Sequence, residues 1–397
     1  MDFMFTPEQE ALREEFDQYA RELMKDAPPG WGSSIEFMYS DDGWDFTRRT
    51  HKKLVQKGWL VRAWPKEYGG VDAPVIEQLI FSEVMGYHGV PTGDILTVGM
   101  IAPTLLAIGS EEQKKEHLPP IARAERYWCQ GWSEPNAGCD LASLTTRAER
   151  KGDEYIVNGQ KTWTSNAHHA DWCFMLARTN PEEKRSRGLS FLLVDMKSPG
   201  ITVRPLISMS GRHLYNEVYF DDVHVPVKNR VGEENDGWRV TRATMNFERT
   251  GIGGVSGGRR TIERLVATCK QVRWNDKTLA ENPLVRHKLA QLAIEIEAGH
   301  ALAYRIAWAQ QKGEFITAAP LASASKVYGT ELALKIANTA CEIFGLYGQV
   351  ALSRWAIMAG KYQDDYQFLP GMNIGAGSSE LQRNIIANIA LGMPRTW

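Results

Sequence analysis

Cysteine is scarce in this chain and unpaired in pattern. Cys129, Cys139, Cys173, Cys269 and Cys341 are odd in number, scattered, and form no C-x-x-C motif. This argues against a disulfide framework or a zinc cluster and fits a reducing compartment. Long uncharged apolar runs are also missing, and nothing reaches the roughly 18 residues that a bilayer-spanning helix needs. The start, MDFMFTPEQEALREEF, is acidic and amphipathic and has neither the basic n-region nor the apolar core of a signal peptide. A cytoplasmic protein is the expectation. Charge of one sign is not in excess, because a net charge of -2 over 397 residues gives no electrostatic reason to expect nucleic acid or an anionic membrane as partner. No G-x-G-x-x-G follows a strand pattern and no Walker loop occurs, which removes the NAD-type Rossmann and P-loop readings. A hydrolase nucleophile elbow is not expected either. His168-His169 lacks metal-ligand spacing, and no metal is expected.

The chain exceeds the usual size of a single core, so two or three domains in one body are expected. Thr6, Pro7 and Gln9 form a capping box that opens a helix, and Leu12, Phe16, Tyr19 and Leu23 recur at helical spacing behind it. Helical patterns resume around 46–58 and 74–88, and a second capping box at Ser110 and Gln113 starts a helix expected to end near Pro119-Pro120. Near Trp128 the helical period gives way to short strand patterns. Glu154–Val157 and Gln160–Ser165 flank Asn158-Gly159, the signature of a two-residue hairpin. Further strands are expected over 172–178, 189–196, 201–206 and 217–225. Helical segments return over roughly 238–271, 283–311, 319–344, 350–363 and 377–392. The fold class is α+β: an N-terminal helical domain (1–125), a middle β-sandwich or barrel domain (126–233) and a C-terminal four-helix bundle (234–397).

Four stretches carry chemistry. Trp132-Ser133-Glu134-Pro135-Asn136-Ala137-Gly138-Cys139 reads as a loop whose backbone and hydroxyl could face a flat, polar-edged ligand, or as a plain domain-entry turn. Trp163 and Ser165, two apart at the end of a strand pattern, would present a ring and a hydroxyl on one face, or a core tryptophan beside solvated hydroxyls. Gly375-Ala376-Gly377-Ser378-Ser379-Glu380-Leu381-Gln382 is either an anion-facing helix start or an ordinary cap. Glu248 follows Met245 and Phe247 and precedes glycines at 251, 253 and 254. A carboxylate there is either a surface residue or a desolvated one with a pKa raised toward general-base range.

In this order and on this α–β–α plan, these stretches resemble the acyl-CoA dehydrogenase family over essentially the whole chain. Trp132-Ser133-Glu134-Pro135 with Gly138, Asn158-Gly159-Gln160-Lys161 with Trp163, Asp221-Asp222-Val223 with Val225-Pro226, and Gly377-Ser378 with Gln382-Arg383 carry the likeness. The resemblance implies FAD and an acyl-CoA thioester oxidised at Cα–Cβ to a trans-2-enoyl-CoA. Trp132, Ser133, Trp163 and Ser165 would line the flavin ring, and Ser378, Glu380 and Gln382 would reach its adenosine side. Cys139 stands where the family usually places a serine touching both FAD and substrate. Many members carry the catalytic Glu just before the Gly-Thr/Ser turn, where this chain has Ala376. Others carry it on the helix after the β domain, directly before an Arg, and here that position is Glu248, with Asn246 and Arg249 near the thioester and pantetheine arm.

Two further departures concern assembly. The Arg-x-x-Phe-Gly stretch with which homotetrameric members reach a neighbour's FAD is missing from 275–283. Glu342 and Leu346 stand where Gln and Gly are usual. With Phe247-Glu248-Arg249, this is similar to the branch that degrades steroid side chains, whose members form α2β2 heterotetramers. The expectation is therefore a dehydrogenase of a bulky or branched acyl-CoA, as a homotetramer or a heterotetramer, passing electrons to an electron-transfer flavoprotein. The rivals are an acyl-CoA oxidase or flavin monooxygenase of the same fold, and a non-catalytic FAD-holding subunit.

Overall fold

The computed structural model describes residues 4–32, 36–247, 252–351 and 353–394. Helices come first: α1 (Pro7–Leu23), α2 (Asp41–Gln56), α3 (Val75–His88), then a π-helical stretch Ile95–Ile101 running into α4 (Ala102–Ile108), and α5 (Glu111–Ala122). Both capping boxes form. Thr6 Oγ1 accepts from Gln9 N at 3.3 Å while Gln9 Oε1 accepts from Thr6 N at 3.0 Å. Ser110 and Gln113 repeat the arrangement, and Gln113 Nε2 also donates to Lys228 O and Arg230 O, tying α5 to the β domain. Contrary to expectation, α5 runs through Pro119-Pro120 to Ala122.

Eight strands follow: β1 (Trp128–Gly131), β2 (Arg147–Lys151), β3 (Glu154–Lys161), β4 (Trp172–Arg178), β5 (Leu189–Asp195), β6 (Ile201–Ile207), β7 (His213–Pro226) and β8 (Arg230–Val231). Their order is β6-β7-β3-β2-β4-β5-β8, with β1 parallel beside β4. Alternation along β4 and β5 explains how this sheet is buried on both faces. Phe174, Leu176, Phe191 and Leu193 join the core shared with the N-terminal helices, and Cys173, Met175, Leu192 and Val194 fill the interior of the β domain.

The expected Asn158-Gly159 hairpin is not formed. The β2–β3 reversal falls at Gly152-Asp153, and β3 passes straight through Asn158-Gly159 between β2 and β7. The register shifts there, as at a bulge. Gly159 has φ of 153°, and a Cβ on it would lie 2.5 Å from Thr146 Oγ1, so the glycine serves close strand approach.

The C-terminal helices are α6 (Gly237–Phe247), α7 (Ile252–Gln271), α8 (Pro283–Gln311), α9 (Phe315–Phe344), α10 (Lys361–Ile374) and α11 (Ser379–Ile385). A small ribbon, β9 (Arg273–Trp274) with β10 (Lys277–Thr278), links α7 to α8. The fourth bundle helix thus starts at Lys361, later than the expected 350–363, because Met358, Ala359 and Gly360 all have positive φ and cannot continue a helix. Leu214 of β7 packs with Ala337, Phe368 and Leu369, which docks the β domain on the bundle.

Candidate functional site

Two loops of the β domain are knotted together at one buried point. Trp132–Cys139 leaves β1, and Thr162–Ser165 leaves β3. Lys161, wholly buried at the end of β3, donates from Nζ to Glu134 Oε1 at 2.9 Å and to Trp132 O at 3.0 Å. Thr162 N donates to Ser133 O at 2.9 Å. Burial alone would raise the Glu134 pKa, but the Lys161 charge and donors from Thr145 and Thr146 outweigh it and hold it at about 2. Burial lowers the Lys161 pKa, and the Glu134 charge and hydrogen bond oppose that.

Around this knot, Trp132 is 7% exposed and meets Phe174 edge-on at 6.0 Å, a core position as much as a ligand-facing one. Ser133 is half-buried, while Cys139 is exposed just before the short turn Leu141–Ser143. Trp163 does not continue β3. It has φ of 57° and is 58% exposed, so the alternation expected to pair it with half-buried Ser165 on one strand face does not apply. Asn216, fully buried in β7, fixes this turn. Its backbone accepts from Thr164 N at 3.0 Å, and its Nδ2 donates to Thr164 O at 3.0 Å. Its Oδ1 lies 2.8 Å from His213 Nε2, and His213 stacks on His168 at 3.8 Å.

From Trp163 the contacts lead to the bundle. Tyr215 stands edge-on to Trp163 at 5.7 Å, and its hydroxyl lies 4.0 Å from where a Cβ on Gly371 of α10 would be. The turn after α10 holds Ala376 at φ of 54° and Gly377 at 83°. Lys326 Nζ of α9 donates to Gly377 O at 2.9 Å and Asn373 O at 3.3 Å, and Gln382 Nε2 donates to Ala376 O at 3.0 Å. Ser378 caps α11, accepting from Leu381 N at 3.3 Å, and Glu380 is exposed in its first turn. Asn246 lies in the last turn of α6, whereas Glu248 and Arg249 fall outside the described residues. Thr104 Oγ1 donates to Thr244 Oγ1 at 2.9 Å, anchoring α6 beside α4.

Asn216, Tyr215 and Lys326 escaped sequence reasoning, and Lys161 was met only within the Asn158-Gly159-Gln160-Lys161 motif, with no role attached. An Asn inside an otherwise alternating strand was the one available signal. The chain does contain a G-x-S-x-G run, Gly254–Gly258, but it lies within α7. There Ser256 is 1% exposed, and His300 Nε2 faces both Ser256 Oγ (3.3 Å) and Glu83 Oε1 (3.7 Å), so no nucleophile relay is formed. Among the described residues no His/Cys/Asp/Glu group could hold a metal, and no helix is long and apolar enough to cross a membrane.

The donors and acceptors around the two loops and the C-terminal turn fit a flat heteroaromatic group with polar edges. Buried Trp132 Nε1, Thr164 Oγ1, Asn166 Oδ1, Ser379 Oγ and Gln382 Oε1 have no partner within the chain, and Trp163 offers an open ring face.

Three family models match end to end: the acyl-CoA dehydrogenase N-terminal domain over residues 6–125, the middle domain over 129–223 and the C-terminal domain over 235–391. Acyl-CoA dehydrogenase FadE26 of Mycobacterium tuberculosis is 36% identical over 403 residues, covering 100% of this chain and 99% of that protein. FadE29 of the same organism is 37% identical, with 98% of each covered. Among solved structures, the Tcur3481-Tcur3483 steroid ACAD superposes with a TM-score of 0.87 at 33% identity, and the ChsE4-ChsE5 complex of M. tuberculosis with 0.85 at 35%, each covering 100% of both chains. This chain belongs to the acyl-CoA dehydrogenase family and is an oxidoreductase with relatives in its steroid-degrading branch.

Proposed function

We propose that the chain oxidises an acyl-CoA thioester to a trans-2-enoyl-CoA, with Glu248 removing the α-proton and FAD as its cofactor. The carrying observation is at the turn after α10. The position where many members keep their base is a methyl group, Ala376, and the side chains that fix this turn, Lys326 and Gln382, are bonded to its backbone. A general base must therefore come from elsewhere, and the sequence offers Glu248 directly after α6. When bound, FAD accepts the hydride equivalent from the β-carbon. The chain's part is to orient the thioester, exclude water and hold the base, and a carboxylate gains basicity as it is desolvated. Ser133, Trp163 and Ser165 would hold the ring, Ser378, Glu380 and Gln382 the adenosine side, and Cys139, Asn246 and Arg249 the substrate.

A bulky acyl group, of the steroid side-chain kind, is supported by the names of the structural relatives. Glycines after Glu248 give it less support. Gly253 and Gly257 face α3, and Gly258 faces Ile296, leaving Gly254 with open space. An assembly of two different chains is supported by the ChsE4-ChsE5 relative, and Leu346, Trp355 and Leu391, 80%, 59% and 69% exposed at the bundle, support association with a partner of either kind. Electron-transfer flavoprotein is the proposed acceptor.

The test is anaerobic bleaching of the bound flavin by short, long, branched and steroid-side-chain acyl-CoAs, comparing wild type with Glu248→Gln. Bleaching by one class that disappears in the variant supports base and substrate together. Equal bleaching in the variant removes Glu248 from the role.

A further inference from the structure

No other ion pair among the described residues is as enclosed as Glu134–Lys161, whose side chains are 6% and 0% exposed. Each oxygen of Glu134 takes two donors. Oε1 accepts from Lys161 Nζ at 2.9 Å and Thr146 N at 2.8 Å, and Oε2 accepts from Thr145 N at 2.7 Å and Thr145 Oγ1 at 2.9 Å. Glu134 and Ala137 also exchange backbone hydrogen bonds of 3.0 Å, closing the loop into a tight turn. Three chain segments, 132–137, 145–146 and the end of β3, thus converge on one carboxylate.

A pair this deep is a weak source of net stability, because desolvating both ions cancels most of their attraction. Its distinctive product is geometry: a directional contact that fixes spacing where apolar packing would tolerate slippage. The segments it fixes are those carrying Ser133 on one side and Trp163–Ser165 on the other, with Trp132 Nε1 and Thr164 Oγ1 unpaired beside them.

We propose that Glu134 and Lys161 are positioning residues for the flavin, a buried clamp that sets the spacing of the two ring-facing loops and so governs FAD affinity without contacting FAD. This rests on the flavin reading of those loops. Glu134→Gln keeps a neutral acceptor in place and is the mild variant. Lys161→Met removes the ammonium, and Glu134→Leu with Lys161→Met replaces both ions with apolar groups of similar volume.

The experiment titrates FAD into deflavinated protein, with any co-purifying partner chain retained, and follows flavin fluorescence and the visible circular dichroism of the bound flavin. Thermal midpoints of the flavin-free forms are recorded in parallel. The expected result is FAD binding weakened by roughly tenfold or more in Lys161→Met and in the double variant, the scale seen when support behind a ligand-contacting group is lost. The double variant also leaves Thr145 N and Thr146 N without their acceptor, so its thermal midpoint should stay below wild type, and its bound-flavin dichroism should differ from wild type, a change that lost stability alone would not produce. Should Lys161→Met not fold, the double variant carries the test. Binding by the folded double variant within about twofold of wild type would overturn the clamp. A wild-type protein that takes up no FAD sinks the flavin reading itself, a result visible before any variant is made.

Discussion

Gly86 of α3 crosses Gly253 of α7 so closely that a Cβ on Gly86 would lie 2.5 Å from Gly253 O and 2.6 Å from its Cα. No L side chain fits there without moving α7, whose first described turn begins at Ile252, a few residues after Glu248. Gly86→Ala is therefore expected to destabilise by about 1–3 kcal/mol, the usual cost of overpacking. Urea denaturation followed by far-UV dichroism would show it. Gly254 is the control. A Cβ there meets nothing within 4 Å, so Gly254→Ala should be neutral or stabilising by up to about 1 kcal/mol through helix propensity. Equal losses in both variants would mean that the helix crossing is not the cause.

Asn216 is the side chain behind the Trp163 turn. Its removal in Asn216→Ala leaves Thr164 O and His213 without their partner inside the protein, at a cost of about 1–3 kcal/mol. Because Trp163 is already exposed, the prediction separates stability from environment. The thermal midpoint should fall by several degrees, while any change in tryptophan emission should be largest when FAD is added. A variant with wild-type stability would show that the turn is held by other contacts.

These two cases mark how far the sequence could be read. The α–β–α plan was legible because capping boxes and apolar period are local, and Thr6–Gln9 and Ser110–Gln113 formed as read. The Asn158-Gly159 error arose because a bulge inside a doubly paired strand and a two-residue hairpin demand the same backbone freedom, and only the partner strands decide between them. The glycines after Glu248 divide in the same way: Gly253 and Gly257 serve a close crossing with α3, whereas Gly254 has nothing within 4 Å of a Cβ, and sequence alone does not tell the two uses apart. At the site, Trp163 and Ser378 could be singled out by type, but Asn216 and Lys326, which hold them, could not, and Lys161 was legible only as part of a motif, not as a clamp. A lysine's sequence neighbours do not reveal that its partner is a carboxylate on another loop.

Lys326 gives a third prediction. Its ammonium bonds Gly377 O and Asn373 O, on either side of the strained Ala376. Lys326→Met should loosen residues 373–378, read as faster amide hydrogen exchange in that segment with exchange in β3–β5 unchanged. Substrate KM is expected to rise more than kcat falls. Unchanged exchange at 373–378 would remove Lys326 from this role.

Stability should fall on mild acidification, and two buried histidines set the window. His51 and His117 are each 1% exposed, and burial pushes both pKa values down to about 3. For His117 a second cause adds to burial: Arg126 Nη1 lies 2.9 Å from Nδ1 and can only donate, so protonating that nitrogen would set two cations together. The folded pKa lies below the unfolded 6.5 in each case, so the unfolded chain binds more protons below pH 6.5. The stabilisation is whole above 6.5 and is lost progressively as pH falls toward 3. Between pH 6.5 and 5 each histidine removes about 2 kcal/mol. Glu134 acts lower, its depressed pKa contributing stability that is present above about 4.5 and lost as pH approaches 2. Asp94, buried and raised to about 6, has the opposite sign, its contribution fading as pH rises from 3.8 through 6, which offsets part of one histidine's loss on acidification. Urea midpoints at pH 7.5, 6 and 5 should therefore decline. In His117→Phe, which can keep the edge contacts to Trp128 and Trp172, the decline should be shallower. An equally steep decline in that variant would show that His117 is already protonated in the native state and that Arg126 does not donate to it.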